Sequence, residues 1–227
     1  MATVQIAIDG PAGAGKSTIS KTAAKELGYI YIDTGAMYRA VGLAALRRGK
    51  NPKVTEEVES ILDSFVIEIR HEGGEQRIFL DGEDVSSEIR RPEVSVAASD
   101  VAVIPAVRLK LVELQRQLAE KENVIMDGRD IGTYVLPNAK VKIFLTASLE
   151  ERARRRFEEL QQKGDPSTLE EVQKDMAYRD KNDSGRDFAP LKPAEDSVIL
   201  DTTGNTLEQS VEQILHLIRE KISHEFV

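Results

Sequence analysis

Eight residues, Gly10 to Ser17 (GPAGAGKS), constrain this chain more than any other stretch. They satisfy the phosphate-loop spacing of a Gly, four residues, then Gly-Lys-Ser/Thr. The flanks agree. Val4, Ile6, Ala7 and Ile8 make an apolar run suited to a buried parallel strand, and Ile19, Ala23 and Leu27 recur on one face of a following helix that Gly28 can end. A strand, a Gly-rich turn and a helix N-terminus form an anion site, because backbone N–H groups converge there and the helix dipole adds positive potential. Gly10, Pro11, Ala12, Gly13, Ala14, Gly15, Lys16, Ser17 and Thr18 are therefore the candidates for the phosphates of a nucleoside triphosphate such as ATP. Lys16, on what reads as a solvent-facing loop, would reach the β- and γ-phosphates, and the Ser17 hydroxyl would bind Mg2+.

The rest of the chain alternates strand and helix around this loop. Tyr29 to Asp33 is β-prone, and DTGAMYR places Thr34, Tyr38 and Arg39 where that strand gives way to a helix. On a parallel sheet, ligands lie at the carboxyl ends of strands, so this junction should face the same crevice as the loop; Thr34 could equally be a simple helix cap. Val124 to Met126 is a second apolar strand ending in DGRDIG, and Asp127 at its end is the expected anchor for Mg2+, partly through water. Val141 to Leu145 and Ser197 to Leu200 complete the strands, with a last helix carrying Leu207, Val211, Ile214, Ile218 and Ile222.

Between these units the pattern changes. Val58, Ile61, Leu62 and Phe65 suggest a helix; Ile67 and Ile69, then Ile78 and Leu80, alternate with polar residues around turns at Gly73-Gly74 and Asp81-Gly82. This meander reads as an inserted antiparallel subdomain over residues 59–100, or as an edge extension of the main sheet. The core would then comprise residues 1–58 and 101–227. Pro92 to Val103 looks helical, and Pro105 starts a helix with an apolar stripe of Val107, Leu111, Leu114 and Leu118, leaving Arg108 free for a polar role. Ser148 can cap a helix rich in charge, and Arg152 and Arg156 share one of its faces. Gly164-Asp165-Pro166 follows as a break suited to a hinge, so a mobile Arg-bearing lid over about residues 150–168 is the expectation, against the plainer alternative of a solvated face.

Composition narrows the function. With no Cys there is no thiolate or Cys-ligated zinc, and His71, His216 and His224 share no metal-ligand spacing. A formal charge of −8 argues against a broad nucleic-acid or membrane surface, so an acidic protein handling polyphosphate must gather its arginines locally. No apolar run approaches the ~20 residues of a membrane span, and no basic, apolar leader precedes the first strand, so a soluble, cytoplasmic protein is expected. GTPase and transporter-ATPase signatures are missing, which leaves a small-molecule kinase with an acceptor pocket.

Five stretches, GPAGAGKS, DTGAMYR, AASDVAVIPAVR, DGRDIGT and RDKNDSGR, in this order and across essentially the full length, resemble the bacterial cytidylate (CMP/dCMP) kinases. The resemblance implies an α/β nucleoside monophosphate kinase fold of the P-loop class. That fold has a five-stranded parallel sheet flanked by helices, a small antiparallel insertion and an Arg-rich lid. It implies that Thr34, Arg39 and Arg129 hold the acceptor phosphate, with Tyr38 in the same site. Ser99, Arg108 and Asp130 would read cytosine, and Arg179 and Asp183 would contact the ribose. Arg186 would approach the transferred phosphoryl with lid arginines such as Arg152 and Arg156; together with Lys16 and Arg129 these form the catalytic set. The implied reaction is ATP plus CMP or dCMP giving ADP plus the diphosphate, with Mg2+, and with a monomer expected. Many relatives carry Ser where Thr34 stands, and some carry Gly where Ser17 stands. A kinase for another acceptor such as UMP, shikimate or a nucleoside is one rival. A non-enzymatic nucleotide-binding module is another, but it gives the arginines no purpose.

Overall fold

A computed structural model describes residues 3–223; His224 lies outside them. The elements run β1 (Gln5–Asp9), α1 (Lys16–Leu27), β2 (Ile30–Asp33), α2 (Thr34–Arg47), α3 (Thr55–Glu59), β3 (Ile67–Glu72), β4 (Glu75–Leu80) and β5 (Glu83–Asp84). They continue with α4 (Pro92–Val101), α5 (Pro105–Ala119), β6 (Val124–Gly128), β7 (Val141–Thr146), α6 (Leu149–Gln162), α7 (Leu169–Gly185), β8 (Val198–Asp201) and α8 (Leu207–Ser223). A 3-10 turn at Glu88–Arg90 precedes α4, and a π-helical turn at Ile131–Val135 follows β6.

Five strands form one parallel sheet in the order β2-β6-β1-β7-β8, with β1 paired to β6 and β7. Both faces of the central strands are covered, so they read as unbroken apolar runs rather than alternating ones. Ile6 and Ile8 of β1 pack with α1 and with Ile214 and Ile218 of α8 on one side. Ala7, Ile32 and Met126 pack with Val112 of α5 on the other. Placing β1 at the centre brings the phosphate loop, which leaves its carboxyl end, between the ends of β6 and β7.

The inserted strands make a separate three-stranded antiparallel sheet, β3-β4-β5, and not an extension of the main one. Ile78, Leu80, Val85 and Ile89 share a core with Met37 and Val41 of α2 and with Val94 and Val101 of α4. The small sheet is thereby anchored on the two helices that carry acceptor-site candidates.

Two helical expectations need correction. The helix read through Phe65 stops at Glu59; Ile61 and Leu62 are buried from a turn and Phe65 from the irregular stretch after it. The buried stripe of α5 is Val107, Arg108, Leu111, Val112, Gln115 and Ala119, a rotation that takes Arg108 to full burial while Leu114 and Leu118 stay half-buried. Amphipathic spacing located the helix; an arginine with a buried carboxylate partner altered which face points inward.

Candidate active site

The phosphate loop needs glycine at specific points. Gly10 has φ 149°, and a Cβ there would overlap the Leu145 carbonyl oxygen of the adjacent strand. Gly13 has φ 74°, and a Cβ would come within 2.5 Å of the Met176 side chain. Glycine lets the loop leave a central strand and pass beneath α7 without displacing either. Lys16, expected on a solvent-facing loop, is instead only 6% exposed, and its ammonium donates to the Pro11 carbonyl at 2.7 Å. Burial, with Arg129 nearby, brings its pKa down to about 7. The Ser17 hydroxyl donates to Asp127 Oδ2 at 2.9 Å. Burial, with Asp33 nearby, raises the Asp127 carboxyl to about 7.

A hydroxyl and a carboxylate beside a phosphate loop suit Mg2+, which keeps several waters and takes one or two protein oxygens plus substrate phosphates. Among the described residues no cluster of three or more His, Cys, Asp or Glu forms a cage, so any ion here would lean on the phosphates.

A cavity of about 520 Å³ opens from the loop across the carboxyl ends of β1, β2 and β6. Nine basic side chains (Lys16, Arg39, Arg90, Arg108, Arg129, Arg155, Arg156, Arg179, Arg186) and five acidic ones line it, so a protein of net charge −8 turns a predominantly basic face inward. The cavity lining brings together Gly13, Gly15, Lys16, Ser17 and Thr18 with Thr34, Tyr38, Arg39, Ser99, Arg108, Arg129, Asp130, Arg179, Asp183, Arg186 and Arg156.

Most of the residues expected on the acceptor side have an identifiable support. Thr34 is not the cap of α2; Asp33 is, accepting from the Ala36 N–H at 3.0 Å. The Thr34 hydroxyl donates to the Asp127 carbonyl at 2.7 Å, tying α2 to β6. Asp33 also holds Arg39 Nη2 at 2.6 Å. Burial opposes the Asp33 charge, but Arg39 and Arg90 outweigh it and keep the carboxyl below its ordinary range. Arg108, fully buried, pairs with Asp130 Oδ2, while Arg186 Nη2 lies 3.5 Å from Asp130 Oδ1. Arg129 donates to Asp183 Oδ2 at 2.7 Å. Burial opposes the Asp183 charge too, and Arg129 and Arg186 overcome it. Arg179 and Asp183 project from the same face of α7 one turn apart, and Arg186 follows at its end. Burial and Arg129 lower the Arg179 guanidinium to about 10.

Several polar atoms of residues lining the cavity are buried without a hydrogen-bond partner: Tyr38 Oη, Arg39 Nε, Ser99 Oγ, Arg108 Nε and Arg179 Nε. Buried donors are rarely left unpaired, because each costs ~1–3 kcal/mol. Their convergence on one cavity marks where a polar, anionic ligand fits.

Arg152 is a different case. It is 5% exposed, outside the cavity lining, and donates to the carbonyls of Ala147 (2.9 Å) and Ala12 (2.9 Å) and to Asp180 (2.7 Å). Its guanidinium thus binds α6 to the phosphate loop and α7, where Ala12, Ala153, Leu160, Val172 and Met176 form a small core. Arg156 faces the cavity, as does Arg155, which donates to the Thr202 carbonyl at 2.7 Å. Gly164, at φ 74°, lies in the turn between α6 and α7.

Residues beyond those singled out from sequence also shape the site. Asp9, the last residue of β1, is 4% exposed and accepts from the N–H groups of Ile131 and Gly132, both at 2.7 Å. Burial raises its carboxyl to about 6. An acidic residue ending a buried strand is the same signal that marks Asp127, so Asp9 was findable. Asn205, Thr206, Leu207 and Ser210 line the cavity beside Arg155, with no motif to announce them. Among the described residues no histidine lines the cavity: His71 lies on β3 and His216 on α8.

A family model described as cytidylate kinase matches residues 6–220. The cytidylate kinase of Caldicellulosiruptor bescii is 53% identical over 225 residues, covering 99% of this chain and 100% of that protein. That of Desulfitobacterium hafniense is 53% identical over 224 residues, covering 99% and 96%. Among solved structures, a gluconokinase from Sinorhizobium meliloti superposes with a TM-score of 0.54 at 13% identity, covering 98% of this chain and 96% of its own. An uncharacterized protein from Eubacterium ventriosum gives 0.53 at 14%, covering 96% and 99%. At such identities these two similarities concern the fold.

Proposed function

The chain belongs to the cytidylate kinase family, and from that premise we propose how its residues divide the work of moving the γ-phosphoryl group of ATP to CMP. The products are ADP and CDP; dCMP is the second acceptor of the proposal. The observation that carries the residue assignment is the set of buried donors without a hydrogen-bond partner on residues that line one cavity with the phosphate loop.

Lys16 and the backbone N–H groups from Gly13 to Lys16 bind the β- and γ-phosphates, with Gly10, Pro11, Ala12 and Thr18 shaping the loop around them. Ser17 and Asp127 would hold Mg2+. Bound there, Mg2+ supplies charge neutralisation of the phosphate oxygens. Thr34, Arg39 and Arg129 orient the acceptor phosphate, with Tyr38 beside them. Arg179 and Asp183 contact the ribose, and Ser99, Arg108 and Asp130 face the base.

An oxygen of the CMP phosphate forms a new bond to the γ-phosphorus as the bond from that phosphorus to the β–γ bridging oxygen breaks, and ADP leaves. Since the second pKa of a phosphate monoester is about 6, the nucleophile is already ionised at neutral pH and no general base is required. The cavity, which no histidine lines among the described residues, is compatible with that chemistry. Catalysis is positioning plus electrostatic stabilisation: Lys16, Arg129, Arg156 and Arg186 face the charge that spreads over the transferred group. Arg152 acts one step back, by holding Ala12 and α7 in register.

The test is ADP release measured across CMP, dCMP, UMP, AMP and shikimate at saturating MgATP. CMP and dCMP should head the ranking; a protein that prefers shikimate or AMP would overturn the acceptor assignment.

A further inference from the structure

Strand β2 lies at the edge of the main sheet, where free N–H and C=O groups invite a partner. The inserted hairpin supplies one. Gln76 of β4 accepts from the Asp33 N–H through Oε1 at 2.8 Å and donates from Nε2 to the Asp33 carbonyl at 3.1 Å. One side-chain amide thus does for Asp33 what a neighbouring strand would do. The contact is repeated around it. His71 Nε2 lies 3.1 Å from the Tyr31 carbonyl, and Lys21 of α1 pairs with Glu75 at 2.6 Å. That last pair is exposed on both sides and adds little.

The residue so fixed is the one that supports the acceptor site. The Asp33 carboxylate divides between the first turn of α2, through the Ala36 N–H, and Arg39 Nη2. With Nη2 held there, Arg39 Nε stays buried and unpartnered beside the cavity. A small displacement of the Asp33 backbone would carry both bonds with it, and the guanidinium would move.

We propose that Gln76 is a positioning residue for the acceptor phosphate, acting through Asp33 and Arg39, so that the inserted hairpin works as a latch on the free edge of β2. The inference rests on the assignment of Arg39 to that phosphate. A merely structural Gln76, covering a sheet edge, would weaken binding of every ligand or none. A latch weakens the phosphate contact selectively.

Gln76→Ala and Gln76→Glu, with Arg39→Ala as reference, are compared by steady-state kinetics and by titration with CMP and with cytidine. A glutamate keeps the acceptor for the Asp33 N–H but cannot donate to the Asp33 carbonyl. Both Gln76 variants should raise KM for CMP by about threefold to tenfold, with KM for ATP and kcat held within about twofold. Cytidine, which lacks the phosphate, should bind all variants as it binds the parent. CMP affinity lost in Arg39→Ala but kept in both Gln76 variants would overturn the latch alone. CMP affinity kept in all three would overturn the latch and the Arg39 assignment together. Equal losses for cytidine and CMP would return Gln76 to a structural role.

Discussion

Replacing Arg152 by methionine separates two roles that the helix pattern left together. The stem would still pack against the loop at Gly13, but three hydrogen bonds would go. The partner Asp180 is 24% exposed and can be rehydrated, so its contribution is counted as small. The carbonyls of Ala147 and Ala12 are the expensive partners, since the bonds they accept are buried. Each unpaired buried acceptor costs ~1–3 kcal/mol; because Ala12 borders the cavity and water can approach it, a total of about 3 kcal/mol is expected. For a chain of 227 residues that corresponds to a fall in Tm of about 6–12 °C. Circular dichroism melts and urea titrations read it directly, with an unchanged m-value indicating that stability alone has moved. Below the melting point KM for ATP should rise, because Ala12 belongs to the loop, while kcat at saturating ATP stays within about tenfold of the parent. An unchanged melt with kcat down about a thousandfold would refute the reasoning. It would mean that Arg152 leaves Ala12 in solution and acts on the phosphoryl group itself.

Lys16→Met should lower kcat by about a thousandfold or more and leave a folded protein by circular dichroism, since it removes the charge facing the transferred group. The free-enzyme pKa of about 7 at Lys16 predicts that ATP without metal binds with proton uptake near pH 8, where the side chain is otherwise largely neutral, and with little uptake near pH 6. Asp127, raised to about 7, predicts proton release when Mg2+ is added near pH 6. Calorimetry in buffers of different ionisation enthalpy reads both signs, and Lys16→Met should abolish the uptake. Asp130→Asn should narrow the preference for CMP over UMP, expected to be about tenfold to a hundredfold in kcat/KM, because an amide can turn a donor toward the uracil carbonyl. An unchanged ratio would remove Asp130 from base recognition.

The phosphate loop and the five strands were legible because they depend on local patterns: glycine spacing, unbroken apolar runs and helix periodicity. The small antiparallel sheet was legible for the same reason, from its alternation and Gly turns. What stayed hidden depended on pairing at a distance in sequence. Gln76 looks like any polar residue on a wet strand until Asp33 lies beside it. Arg152 and Arg156 are equivalent on a helical wheel; only the path of the loop sends one to the Ala12 carbonyl and the other to the cavity. Arg108 sat off the apolar stripe in sequence, and its burial became sensible once Asp130, two residues past β6, lay against it. Leu114 and Leu118 yielded their inward positions because a paired arginine and Gln115 occupy the buried face.

Asp9 sets a length. Its main chain continues directly into the loop proposed for the donor phosphates, and its carboxylate grips the peptide groups just beyond Arg129 and Asp130, the residues proposed for the acceptor. The two halves of the cavity are therefore measured from one origin, a single side chain at the end of the central strand. For in-line transfer between two polyanions, where an added ångström costs orders of magnitude in rate, the carboxylate is a ruler built into the floor of the site.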